Sequence, residues 1–150
     1  MKKMTGTCET YKLIPIKELD RVFKESSTAS AEMDSTFLCF EDVYFTAKDL
    51  IDESWTVLDL GCAYAPQAFI FKDFERYIGV DIGIKDGVHF QTDNMIFYNM
   101  SIQKYIEKHL KDLDLERTFA ICSAVPDAEA QKLVRDTFPH QLVWYPGGWL

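Results

Sequence analysis

No apolar run in this sequence approaches the roughly 20 residues that a membrane-spanning helix needs. The amino terminus carries no signal core either, because Met1-Lys2-Lys3 leads into polar residues. A cytoplasmic chain with no membrane partner is the expectation. The four cysteines, Cys8, Cys39, Cys62 and Cys122, share no CxxC spacing, and three scattered histidines complete no metal-ligand pattern. They read as buried free thiols in a reducing compartment, with no metal expected. Basic charge is scarce: 16 Lys and Arg face 24 Asp and Glu, a net charge of −8. Such a surface repels nucleic acid as a whole, so a nucleic-acid partner is not favoured. Repeats and low-complexity tracts are missing too.

What remains is a chain of 150 residues, 47% hydrophobic and 27% charged. That is one globular domain in length and composition. Residues 1–35 read as an arm and loop, and residues 36–150 as the core. The segment Glu25 to Ser35 is small and polar, which is loop chemistry. Phe37, Phe40, Val43, Tyr44, Ala47, Leu50 and Ile51 recur at helical spacing, with Asp34 or Ser35 as the expected N-cap.

Five short apolar runs follow: Trp55–Leu60, Tyr77–Ile82, Met95–Tyr98, Thr118–Cys122 and Gln141–Tyr145. Helical segments are expected over Pro66–Asp73, along the stripe Ile102 to Leu113, and over Asp127–Thr137. Strands 2 and 3 are joined by a polar segment with Gly83 and Gly87, so that crossover is expected to be irregular. The strands are continuous apolar runs rather than alternating ones, as a sheet covered on both faces requires. Alternation of strand and helix predicts an α/β fold: a doubly wound, mostly parallel five-stranded sheet of Rossmann-like type.

In such a sheet, ligands sit beyond the carboxyl ends of the strands. Strand 1 ends in Asp59-Leu60-Gly61-Cys62-Ala63-Tyr64-Ala65-Pro66, and strand 2 ends in Asp81. Small residues after strand 1 let a ligand approach the backbone. A carboxylate after strand 2 can grip two ribose hydroxyls. The two acids lie 22 residues apart, one strand-helix-strand step. Together they point to a nucleoside-type site. The nicotinamide fingerprint GxGxxG is not met, and Asp59 would be unwelcome beside a pyrophosphate. An acid there suits a cationic ligand such as S-adenosylmethionine.

Val57-Leu58-Asp59-Leu60-Gly61-Cys62-Ala63 resembles motif I of the class I S-adenosylmethionine-dependent methyltransferases, and Tyr77-Ile78-Gly79-Val80-Asp81-Ile82 resembles their motif II. The segment Asn99 to Ile106 is similar to the stretch after their third strand. The resemblance runs from about Phe37 onward. It implies S-adenosylmethionine as cofactor, with Asp59, Gly61 and Ala63 along its methionine part. Asp81 would take the ribose, Met100 would pack on the adenine ring, and Ser101 stands where many relatives place an aspartate facing the adenine amino group. The family's Gly-x-Gly-x-Gly reads Gly61-x-Ala63-x-Ala65 here, and its last two strands have no counterpart.

For transfer to an unknown acceptor, Ser123 and Asp127 after strand 4 are the candidate catalytic residues. Ser123 would orient the acceptor and Asp127 would take a proton. Asp127 suits a helix N-terminus equally well. Trp144, Tyr145 and Trp149 form either an aromatic wall or a cover for the sheet edge. The apolar strand 5 has no later strand beside it. The arm Tyr11–Ile16 could cover it within the chain or in a homo-oligomer. The function expected is therefore methyl transfer. The alternatives are a binding module that keeps the fold without turnover, and a nicotinamide or nucleotide-sugar protein.

Overall fold

The computed structural model describes residues 43–63, 65–84, 87–88 and 91–145. The expected helix cap at Asp34 or Ser35, the arm Tyr11–Ile16, Tyr64 and Trp149 lie outside these residues. Residues 43–50 are helical (α1). The five apolar runs become β1 (Thr56–Leu60), β2 (Arg76–Val80), β3 (Met95–Tyr98), β4 (Thr118–Ser123) and β5 (Gln141–Trp144). They pair parallel throughout in the order β3-β2-β1-β4-β5. Two further α-helices follow β3 and β4: α2 (Ile102–His109) and α3 (Ala128–Thr137). This is the α/β architecture that strand-helix alternation predicts, and it is compatible with a Rossmann-like arrangement. Among the described residues, β3 and β5 are the two edges.

Side chains alternate across the sheet, so each strand feeds two cores. One face carries Val57, Tyr77, Phe119 and Ile121 against Tyr44 and Ala47 of α1 and Phe71 and Phe74 beyond β1. The other carries Leu58, Leu60, Ile78, Val80 and Val143 against Ile106 of α2 and Val134 of α3. Leu58, Leu60 and Ile78 are wholly or almost wholly buried. Each such side chain contributes about 1.5–3 kcal/mol by leaving water. Coverage on both faces is why the strands lack polar alternation. Among the described residues, no helix is long and apolar enough to cross a membrane.

Three local expectations are corrected. The helix expected over Pro66–Asp73 is a 3-10 helix over Pro66–Phe71. Its N-cap is a left-handed Ala65, which has no side chain to cap an amide, and the Ala68 N–H bonds Ala65 three residues back. The stripe Ile102–Leu113 leaves α geometry after His109 and tightens into a 3-10 turn over Leu110–Asp112, closed by the Leu113 N–H on the Leu110 carbonyl. Asp127 is not the first residue of α3 but its N-cap.

Candidate functional site

The carboxyl ends of β1 and β4 are built on unusual backbone. Gly61 has φ +89°, and the alanines Ala63, Ala65 and Ala124 have φ of 53°, 57° and 60°. These three are the non-glycine residues in the left-handed region among those described. All of them stand just beyond two neighbouring strands, β1 and β4. Left-handed geometry costs an L-residue about 1–2 kcal/mol, so surrounding bonds must hold it. The Gly61 and Cys62 N–H groups both donate to the Val80 carbonyl, at 2.7 and 3.1 Å. The Ala65 N–H donates back to Cys62, and the Ala124 N–H donates to Trp144 on β5.

Asp81 follows β2 and is half-buried. One carboxylate oxygen accepts the Ala63 N–H at 2.9 Å and the other the Gly83 N–H at 2.7 Å. A carboxylate has about four lone-pair positions, so roughly two stay open. Asn99, after β3, supports the same corner. With its amide turned so that the NH2 group faces acceptors, it donates to the Asp81 and Ile82 carbonyls at 3.1 and 2.9 Å. Ile82 beside it is 73% exposed. Along the β3 edge runs an open groove of about 470 Å³, lined by Ile84, Val88, Met95 and Phe97 and by the amides Gln91 and Asn99.

Asp59 is placed differently from Asp81. It is fully enclosed on the α1 face of the sheet. Its carboxylate accepts from Tyr44 Oη at 2.8 Å, from Gln67 Nε2 at 2.8 Å and from Tyr77 Oη. Burial raises its pKa from 3.8 to about 6, against the lowering effect of those three donors. Burial and the negative charge of Asp59 also push the Tyr77 hydroxyl well up. Cys62 is buried in the same loop, with its thiol pushed up by the same two causes, so it is not a thiolate nucleophile.

Gly79 explains how β2 and β3 close under this loop. A β-carbon there would meet the Phe97 ring at 2.6 Å and Cys62 Sγ at 2.9 Å.

Beyond β3, Met100 is half-buried against the α2 core and Ser101 is the N-cap of α2, its hydroxyl accepting the Lys104 N–H at 3.1 Å. Beyond β4, Ser123 is 5% exposed and its Oγ has no hydrogen-bond partner. Asp127 is exposed. It accepts the Glu129 and Ala130 N–H groups on one oxygen and Gln103 Nε2 on the other at 3.2 Å. The Ala130 amide first, then Gln103, lowers its pKa below the usual 3.8. Gln131 of α3 holds the intervening loop by donating to the Val125 carbonyl at 2.7 Å.

Gly61, Ala63 and Asp81 are thus brought together, with Asp59 behind them. Ser123 and Asp127 flank a second loop, and Asp127 is bridged to α2 by Gln103. Sequence reasoning missed Gln67, Asn99 and Val125. Gln67 left one trace, as a polar side chain inside the apolar segment Pro66–Phe71. Among the described residues, no group of three or more His, Cys, Asp or Glu could hold a metal ion. No family model, curated protein or solved structure matches this chain.

Proposed function

We propose that this chain binds an adenosyl ligand of the S-adenosylmethionine class across the carboxyl ends of β1, β2 and β3. The observation that carries the reading is Asp81, a half-exposed carboxylate fixed by the Ala63 and Gly83 amides with lone pairs to spare. A ribose diol needs two acceptors in that fixed relation. The exposed Ile82 and the mixed groove beside Asn99, where Ile84, Val88, Met95 and Phe97 meet Gln91 and Asn99, offer a flat base both apolar contact and amide partners. The resemblance of the segments around Asp59 and Asp81 to methyltransferase motifs I and II supports the same ligand.

A dinucleotide fits less well. A pyrophosphate is held by free N–H groups at a helix start. Here Pro66 has no N–H, and the Ala65 and Ala68 amides already bond within the loop. The nearby charges, Asp59 and Asp81, suit a sulfonium and an ammonium group instead.

Methyl transfer is the second reading. It is favoured by the left-handed Ala124 next to the unpartnered Ser123 hydroxyl, since strained backbone and orphaned polar groups gather where ligands react. On this reading Ser123 orients the acceptor. Asp127, held acidic by its caps, is a weak base, so the acceptor would have to be nucleophilic already.

Calorimetric titration with S-adenosylmethionine, S-adenosylhomocysteine and NAD tests the first reading. Binding of the two adenosyl ligands is expected, with Asp81→Ala costing about 1.5–3 kcal/mol, as for a hydrogen bond to a charged group. Unchanged affinity in that variant would move the site elsewhere. Label passed from a radioactive methyl donor to a cell extract, and lost in Asp81→Ala, would establish transfer; binding without label leaves the module without turnover.

A further inference from the structure

We infer that Gln67 is a positioning residue for the ligand loop: it ties the buried carboxylate of Asp59 to the Cys62 carbonyl, and so holds the adjoining Ala63 N–H on Asp81. The geometry is a chain of three hydrogen bonds through one peptide unit. Gln67 Nε2 donates to Asp59 Oδ2 at 2.8 Å and to the Cys62 carbonyl at 3.0 Å. The N–H of that same peptide, on Ala63, donates to Asp81 Oδ2 at 2.9 Å. Nε2 carries two hydrogens, so these two acceptors use both; Tyr44 Oη, at 3.4 Å, is a long third contact.

The peptide is therefore gripped on both sides. Its carbonyl is pulled toward the buried acid and its N–H toward the exposed one. This grip is what a left-handed Ala63 needs, since without it the loop would gain by relaxing toward an ordinary conformation. Gln67 is 4% exposed, so its amide has no solvent to turn to. If the grip fails, Asp81 loses the amide that fixes one of its oxygens, and the ribose acceptors lose their relative orientation. Asp59 then acts on a ligand without touching it.

The bond from Gln67 to Asp59 is charge-assisted while Asp59 is ionised and weaker once it is protonated. Asp59 is faced by Tyr44 of α1, Tyr77 of β2 and Cys62 of the loop, with Asp81 and the Cys122 thiol of β4 within its field. None of these is a cation. Titration of Asp59 near pH 6 should accordingly be felt at the Ala63 amide.

The consequence for affinity rests on the adenosyl-ligand reading, while the relay itself does not. The test therefore has two arms, both on the full chain. In the first, the amide shift of Ala63 is followed by NMR from pH 5 to pH 8 without ligand. An inflection near pH 6 is expected, and Asp59→Asn, which keeps an acceptor for Gln67, should remove it while leaving the amide hydrogen-bonded. In the second, S-adenosylhomocysteine is titrated into Gln67→Met at pH 8. Affinity should fall about tenfold, the effect of one positioning hydrogen bond, and the Ala63 inflection should vanish too. An Ala63 amide indifferent to Asp59, or a Gln67→Met protein that keeps both inflection and affinity, overturns the inference. If Gln67→Met does not fold, the first arm decides alone. If the wild-type protein binds no adenosyl probe, the ligand reading fails, and the first arm still decides the relay.

Discussion

Val125 rests directly on Gly61. A β-carbon built on Gly61 would lie 2.5 Å from Val125 Cγ2, so the loop after β4 packs onto the loop after β1 with no room for a side chain between them. Gly61 is thus needed twice, for its φ of +89° and for this approach. Gly61→Ala should cost about 2–4 kcal/mol, combining left-handed strain with overpacking. Denaturant unfolding of the variant measures it, and a loss under 1 kcal/mol would mean that Val125 moves aside freely.

Ala63 and Ala124 present the opposite case. Each holds a left-handed conformation that glycine adopts without penalty, and both are only partly buried. Ala63→Gly and Ala124→Gly should each stabilise the protein by about 0.5–1 kcal/mol, strain relief exceeding the added entropy of the unfolded chain. The midpoint of urea unfolding reports the change. A destabilised variant would show that the alanine methyl contributes packing larger than the strain.

Asp59 gives stability a pH dependence of unusual sign. Its pKa is about 6 in the folded protein against 3.8 for the free group. Between those values the folded state holds more protons than the unfolded one. Its contribution therefore becomes less favourable as pH rises from about 4 through 6, by about 3 kcal/mol in all. Asp59→Asn should remove this slope and raise stability at pH 8. Unfolding curves for both proteins from pH 4 to pH 8 check it, and parallel profiles would contradict it.

Asp127 titrates the other way. Its pKa is depressed by the Ala130 amide and Gln103, so the stability it gives is present above 3.8 and is lost as pH falls through its lower folded value. The group is almost fully exposed, and its worth is that of an ordinary N-cap. Asp127→Ala should cost about 1 kcal/mol at pH 7, and Asp127→Asn, still a good cap, far less. Equal losses in the two variants would place the effect elsewhere than in the cap.

Ser123 carries a buried hydroxyl without a partner. Ser123→Ala should leave the ligand-free protein as stable or more stable, by up to about 1 kcal/mol, because it removes an unmet desolvation cost. If the hydroxyl meets a methyl acceptor, the same variant should lower label incorporation. A clear loss of stability without ligand would instead point to an ordered water on Ser123 Oγ.

The order of elements was legible in the amino-acid sequence because it rests on local signals. Continuous apolar runs marked the five strands, stripes at helical spacing marked α2 and α3, and the 22 residues from Asp59 to Asp81 marked one strand-helix-strand step. Asp127 marked the start of α3 for the same reason, but as a helical residue and not as the cap that it is. Only the tertiary structure decided what each acid near the loop touches. Tyr44 reaches Asp59 from 15 residues away, and Asp81 takes the Ala63 amide from 18 residues away. Composition treats Asp59 and Asp81 as equals. One is sealed beneath α1 and the other stands half-open at the strand end, because a side chain's direction depends on its position in the pleat and on what packs above it. The left-handed path of Ala63, Ala65 and Ala124 was equally invisible, since alanine by itself prefers the right-handed regions; Ala63 and Ala124 are held out of them by hydrogen bonds to Asp81 after β2 and to Trp144 on β5, and Ala65 by one within its own loop.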